Sequence, residues 1–83
     1  MYSVYILRCK DGSLYTGITT SVSRRIAMHN SGAGSKYVRS RLPVQLVYVE
    51  EQLSKSLALQ REAAIKKISR QAKEALILNS PFL

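Results

Sequence analysis

Val4-Tyr5-Ile6-Leu7-Arg8-Cys9-Lys10-Asp11-Gly12-Ser13-Leu14-Tyr15-Thr16-Gly17-Ile18 is the stretch that decides the fold. Residues 2–9 and 14–19 are rich in Val, Ile, Tyr and Thr, which suit a pleated strand, and Lys10-Asp11-Gly12 supplies turn chemistry between them. The length of the connection sets the register. A two-residue Asp11-Gly12 loop would pair Cys9 with Leu14 and put Val4 and Ile6 on the opposite face from Leu14 and Ile18. A three-residue loop, with Gly12 left-handed in a bulge, pairs Cys9 with Ser13 and gathers those four apolar residues on one side. The second register is preferred. It sets Tyr5 opposite Gly17 and Tyr15 opposite Leu7, so both phenols leave from the other face as diagonal neighbours. Gly17 then leaves open floor beside them.

Beyond the hairpin, Ser21-Val22-Ser23 offers N-cap oxygens to a helix that runs to about Asn30, with Gly32 as its stop. Val22 and Ile26 point inward, while Arg25 and His29, four apart, share a neighbouring stripe. Residues 31–43 are rich in Gly and Ser and carry Lys36, Arg39 and Arg41, which predicts a mobile basic loop with Tyr37 inside it. Residues 44–50 alternate as a third strand, Val44, Leu46 and Tyr48 on one face and Gln45, Val47 and Val49 on the other. Apolar residues on both faces predict that this is the central strand. Residues 53–79 are helical in composition, with Leu57, Ala64, Ile65 and Ile68 as the inward spacing and Ser69 dividing two helices. Lys66, Lys67, Arg70 and Lys73 cluster on the outside, and Pro81-Phe82-Leu83 is placed to cover the core.

With 83 residues, 46% of them apolar and 22% charged, the chain has the composition of one small globular domain, residues 1–83, with a single modest core. Thirteen Lys and Arg against five Asp and Glu give a net charge of +8, which implies a polyanionic partner, nucleic acid or anionic lipid. Cys9 is the sole cysteine, which excludes a disulfide framework and a Cys/His zinc site. No signal-peptide pattern opens the chain and no apolar run is long enough to span a bilayer, so a cytoplasmic protein with no membrane role is expected.

The chemistry concentrates around the two tyrosines. A phosphodiester resists hydrolysis because its anionic oxygens repel nucleophiles, so a catalyst must neutralise charge, activate water and stabilise the leaving alkoxide. Arg25 suits the first task, because guanidinium is always charged and forks to two phosphate oxygens. Tyr5 and Tyr15 can position or deprotonate a water, provided positive charge lowers a phenol pKa that is ordinarily near 10. His29, one turn after Arg25, can move a proton or hold the phosphate. Carboxylates are few. Glu62 stands among Leu57, Ala58, Leu59 and Ile65 at the edge of the apolar face, and one glutamate with phosphate oxygens and waters can hold a single Mg²⁺. A two-metal site, which needs several bridging groups, is disfavoured.

The order of Val4-Tyr5-Ile6, Tyr15-Thr16-Gly17, Arg25, His29 and Glu62 resembles the GIY-YIG nuclease superfamily over essentially the whole chain. The stretch from Arg24 to Asn30, Lys36-Tyr37 and Arg39-Ser40-Arg41 are also similar to the small stand-alone bacterial members. Val4 replaces the first motif's glycine and Thr16 the second motif's isoleucine, and neither change removes a catalytic group. The resemblance implies an α+β fold of order β-β-α-β-α-α, a three-stranded antiparallel sheet flanked by helices. It implies Mg²⁺-dependent cleavage of DNA phosphodiesters, with Mn²⁺ as a substitute ion and DNA repair or recombination as the setting. Tyr15 would help activate the attacking water, Arg25 would bind phosphate, Glu62 would hold the metal, and Tyr5 and His29 would support them. Lys36, Arg39, Arg41, Lys66, Lys67 and Arg70 are the expected nucleic-acid contacts. Larger relatives carry a separate DNA-binding domain that this chain lacks, so a protein partner that supplies specificity is expected. The alternative is a non-catalytic module that binds DNA or RNA through the same basic surface.

Overall fold

The computed structural model describes residues 1–80. Strands β1 (Tyr2–Cys9) and β2 (Leu14–Thr19) form the expected hairpin. Tyr5 faces Gly17, Leu7 faces Tyr15, and the Cys9 N–H donates to the Ser13 carbonyl at 2.8 Å. Gly12 takes φ +86°, a conformation that costs other residues a Cβ clash, and the three-residue loop depends on it. Helix α1 (Val22–Asn30) follows and ends in a Schellman arrangement. There the Gly32 N–H reaches the His29 carbonyl and the Ala33 N–H reaches the Met28 carbonyl, with Gly32 at φ +86°. Ser21 sits at the N-cap position, but its hydroxyl makes no capping bond. The Ser21 N–H is bonded instead by Thr19 Oγ1 at 3.1 Å.

The segment expected to be a loop contains one helical turn, α2 (Lys36–Arg39), capped by Ser35 and anchored by the fully buried Val38. The element order is therefore β-β-α-α-β-α-α, within the expected α+β class. Strand β3 (Val44–Gln52) is an edge strand, contrary to expectation. The sheet order β2-β1-β3, antiparallel throughout, puts β1 in the centre. Here the run Val4-Tyr5-Ile6-Leu7 is the better guide, since all four residues are buried as a strand covered on both faces demands. A bulge between the Ile6–Tyr48 and Leu7–Leu46 pairs also breaks the expected alternation in β3. Val47 and Tyr48 consequently join the same core cluster, while Val44, Leu46 and Val49 face the other.

Helices cover the sheet on both faces. Val4, Ile6, Val47 and Tyr48 pack against Ala58 and Ile65 of α3 (Lys55–Lys67) and Ile77 of α4 (Arg70–Leu78). Tyr5, Leu7, Cys9 and Val44 pack on the opposite face with Ile26 of α1 and Val38 of α2. Ser69 caps α4 and divides the two C-terminal helices where expected. The inward stripe of α3 is Ala58, Arg61, Glu62 and Ile65, whereas Leu57, Ala64 and Ile68 are exposed. Pro81, Phe82 and Leu83 lie outside the described residues. Among the described residues no helix is long and apolar enough to cross a membrane.

Candidate active site

The hairpin register brings the two phenols to one face, and α1 lays His29 between them. Tyr5 Oη lies 3.2 Å from His29 Nε2, and the Tyr15 ring meets the imidazole edge-on at 5.5 Å between centroids. Tyr5 and His29 are almost wholly buried, at 1% and 2% exposure. Burial, reinforced by the Tyr15 phenol, pushes the Tyr5 pKa up to about 12 against the opposing pull of Arg25. Tyr5 is therefore a neutral hydrogen-bonding phenol at physiological pH. Burial first and Arg25 second push His29 down from the ordinary histidine value, so its imidazole is neutral as well.

Gly17 does not leave open floor. A Cβ there would sit 2.6 Å from Tyr5 Oη and 2.8 Å from Cζ, so the space belongs to the Tyr5 ring. Gly34 plays a comparable part for His29. A Cβ on Gly34 would run into Nδ1, nearly equidistant from the flanking Cε1 and Cγ at 2.8 and 2.9 Å. Nδ1 is the buried side-chain polar atom without a partner among the described residues.

Arg25 is half-buried on α1, and both it and Glu62 on α3 act electrostatically on the Tyr5 phenol. The five residues selected from sequence thus converge from β1, β2, α1 and α3. The Glu62 side chain is 19% exposed and lies 3.4 Å from Lys66 Nζ. No group of three or more His, Cys, Asp or Glu is assembled among the described residues. A lone carboxylate with an open side fits one Mg²⁺ that keeps most of its waters, and does not fit a pair of ions.

The basic residues divide. Lys36, Arg39 and Lys67 are exposed, and Lys66 pairs with Glu62. Arg41 donates from Nε to Asp11 and lies 3.9 Å over the Tyr37 ring. Arg70 donates to the Gly12 carbonyl at 2.6 Å and to Glu74 at 3.2 Å, pinning α4 to the hairpin turn. Three neighbours of the site, Gly34, Tyr37 and Val38, escape selection by sequence. Tyr37 stacks on Tyr15 at 6.1 Å, a contact that only the fold of α2 reveals.

Comparison with known proteins agrees with this geometry. A family model described as the GIY-YIG catalytic domain matches residues 1–75. A UPF0213 protein of Staphylococcus haemolyticus is 58% identical over 89% of this chain and 90% of its own. One from Natronomonas pharaonis is 55% identical over 89% and 87% respectively. The solution NMR structure of a UPF0213 protein from Bacillus halodurans is similar with a TM-score of 0.62 at 49% identity, covering 99% of this chain and 89% of that one.

Proposed function

The chain belongs to the GIY-YIG catalytic domain family, which points to nuclease-type chemistry on DNA, and we propose that it is a metal-dependent DNA nuclease. It hydrolyses phosphodiester bonds with structure selectivity or weak sequence specificity, on repair or recombination intermediates. The observation that carries this reading is the convergence of Tyr5, Tyr15 and His29 in direct contact, with Arg25 and Glu62 both acting on the Tyr5 phenol.

Arg25 holds the scissile phosphate and offsets the charge that repels a nucleophile. Tyr15, less enclosed than Tyr5, orients the attacking water. The Tyr5 phenol and the neutral His29 form a hydrogen-bonded pair that fixes the floor of the site. Nucleases of this family are in general metal-dependent, and Glu62 would hold Mg²⁺ or Mn²⁺, which supplies Lewis-acid polarisation of a phosphoryl oxygen when bound. Lys36, Arg39 and Lys67 contact the DNA backbone.

Purified protein incubated with single-stranded, nicked and branched DNA in Mg²⁺ is expected to cut at least one of them. Arg25→Ala and Glu62→Ala are each expected to lower the rate roughly 100-fold or more, as loss of a charged transition-state contact does. No cleavage by wild type, or undiminished cleavage by both variants, overturns the reading. The Lys66 ion pair on Glu62 favours the second reading, a binding module that does not cut. In that case affinity falls steeply with salt and is indifferent to Glu62.

A further inference from the structure

Arg41 stands in a basic stretch and has the composition of a phosphate contact, yet its guanidinium is already committed. Nε donates to Asp11 Oδ2 at 3.1 Å, and Nη1 donates to the Tyr37 carbonyl at 2.9 Å and to Ser40 Oγ at 3.1 Å. Either fork that could grip a phosphate, Nη1 with Nη2 or Nε with Nη2, would have to give up one of these bonds. The face of the guanidinium is also occupied, since Cζ lies 3.9 Å from the Tyr37 ring centroid. Tyr37 in turn stacks on Tyr15, with the planes 24° apart and the centroids at 6.1 Å.

These contacts close a circuit. Asp11 lies in the β1–β2 turn and Tyr15 in the strand that leaves it, and the same short segment grips both. That segment is fixed by Val38, fully buried, by the Ser35 cap, and by the Lys10 N–H donating to the Arg41 carbonyl at 3.0 Å. We propose that Tyr37 and Arg41 are positioning residues for Tyr15, with Asp11 as their anchor on the hairpin, and that Arg41 does not contact the nucleic acid. The assignment rests on Tyr15 acting in the proposed nuclease. A surface phenol on an edge strand is ordinarily free to rotate. Stacking on one side and His29 on the other hold this one in the rotamer that faces the site.

The test combines three measurements on Arg41→Gln, Asp11→Asn, Tyr37→Leu and Tyr37→Phe, with Arg39→Gln for comparison and backbone NMR spectra to verify folding. In cleavage of the DNA that wild type cuts, Arg41→Gln, Asp11→Asn and Tyr37→Leu are expected to lower kcat roughly tenfold with KM little changed, a loss of geometry rather than binding. Tyr37→Phe, which keeps the ring, restores most of that loss. For binding to a single-stranded oligonucleotide across a NaCl series, Arg39→Gln reduces the slope of log K on log salt by about one, whereas Arg41→Gln leaves it unchanged. In the free protein, Tyr37→Leu shifts the Tyr15 ring resonances. A slope lowered by about one in Arg41→Gln, or unshifted Tyr15 resonances in Tyr37→Leu, overturns the proposal. If wild type cuts no DNA, the nuclease reading falls by itself, and the slope and the ring shifts still decide whether this segment positions Tyr15.

Discussion

Tyr5 spends its whole ring on the gap above Gly17, and that exchange explains how a phenol is accommodated at the centre of a sheet. Its hydroxyl meets His29 Nε2 at 3.2 Å, so the buried polar atom is satisfied while the ring fills space that any other residue at position 17 would occupy. Gly17→Ala is therefore expected to cost about 1–3 kcal/mol, since the new methyl must displace the ring and break that hydrogen bond. Urea midpoints check it, and a double-mutant cycle sharpens it. In a Tyr5→Leu background, where no phenol reaches position 17, the same alanine should cost less than half as much. Gly34 bears on His29 in a related way, because a Cβ there would run into the imidazole Nδ1. Burial first and the neighbouring Arg25 charge second lower the His29 pKa.

Helix α3 carries apolar residues on its exposed side as well as its buried one, and burial decides which of them matter. Ile65 is fully buried against Val4 and Ile6, whereas Leu57 is 43% exposed. Ile65→Ala should destabilise by about 2–5 kcal/mol and Leu57→Ala by under about 1 kcal/mol, measured as shifts in thermal or urea transitions. Leu57 and Ile68 lie at helical spacings from Ile65, and Ala64 at helical spacings from both of them, which is why periodicity picks the wrong stripe: with Leu53, Leu59 and Ala63 apolar too, no single face dominates. The hairpin was legible for the opposite reason, because only one register unites Val4, Ile6, Leu14 and Ile18, and Gly12 permits the loop it needs. Glu62 was legible from its apolar neighbours and does face inward. The bulge in β3 was not, since nothing between Leu46 and Tyr48 announces an extra residue until β1 is laid beside it. Tyr37 was noticed as an aromatic in a basic loop and as part of a stretch similar to bacterial members, but not as a site neighbour, because stacking on Tyr15 depends on Val38 burying one turn of helix.

The pieces are tied at their far ends by ion pairs that titrate. Arg8 of β1 donates two hydrogen bonds, at 2.8 and 2.7 Å, to the Glu74 carboxylate of α4, and Arg70 adds a third to it. These bonds, Arg8 first, hold Glu74 down at about 2, below its ordinary 4.5. A carboxylate depressed in the folded state stabilises it fully above the unfolded value, and that contribution disappears as pH falls through the folded one. Melting curves of wild type and Glu74→Gln should therefore differ at neutral pH and converge between about pH 4.5 and pH 2. His29 loses its contribution earlier in the same direction, since protonation of the buried ring is opposed from the ordinary histidine range downward. The sheet order carries one more consequence, in time rather than energy. The β1–β2 hairpin closes over Lys10 to Gly12, but the other edge of β1 pairs only when the chain returns, from Cys9 with Val44 out to Tyr2 with Gln52. During synthesis the strand made first is thus the one completed last. Until Gln52 has left the ribosome, the most apolar strand of the protein presents an open edge to any unpaired neighbour.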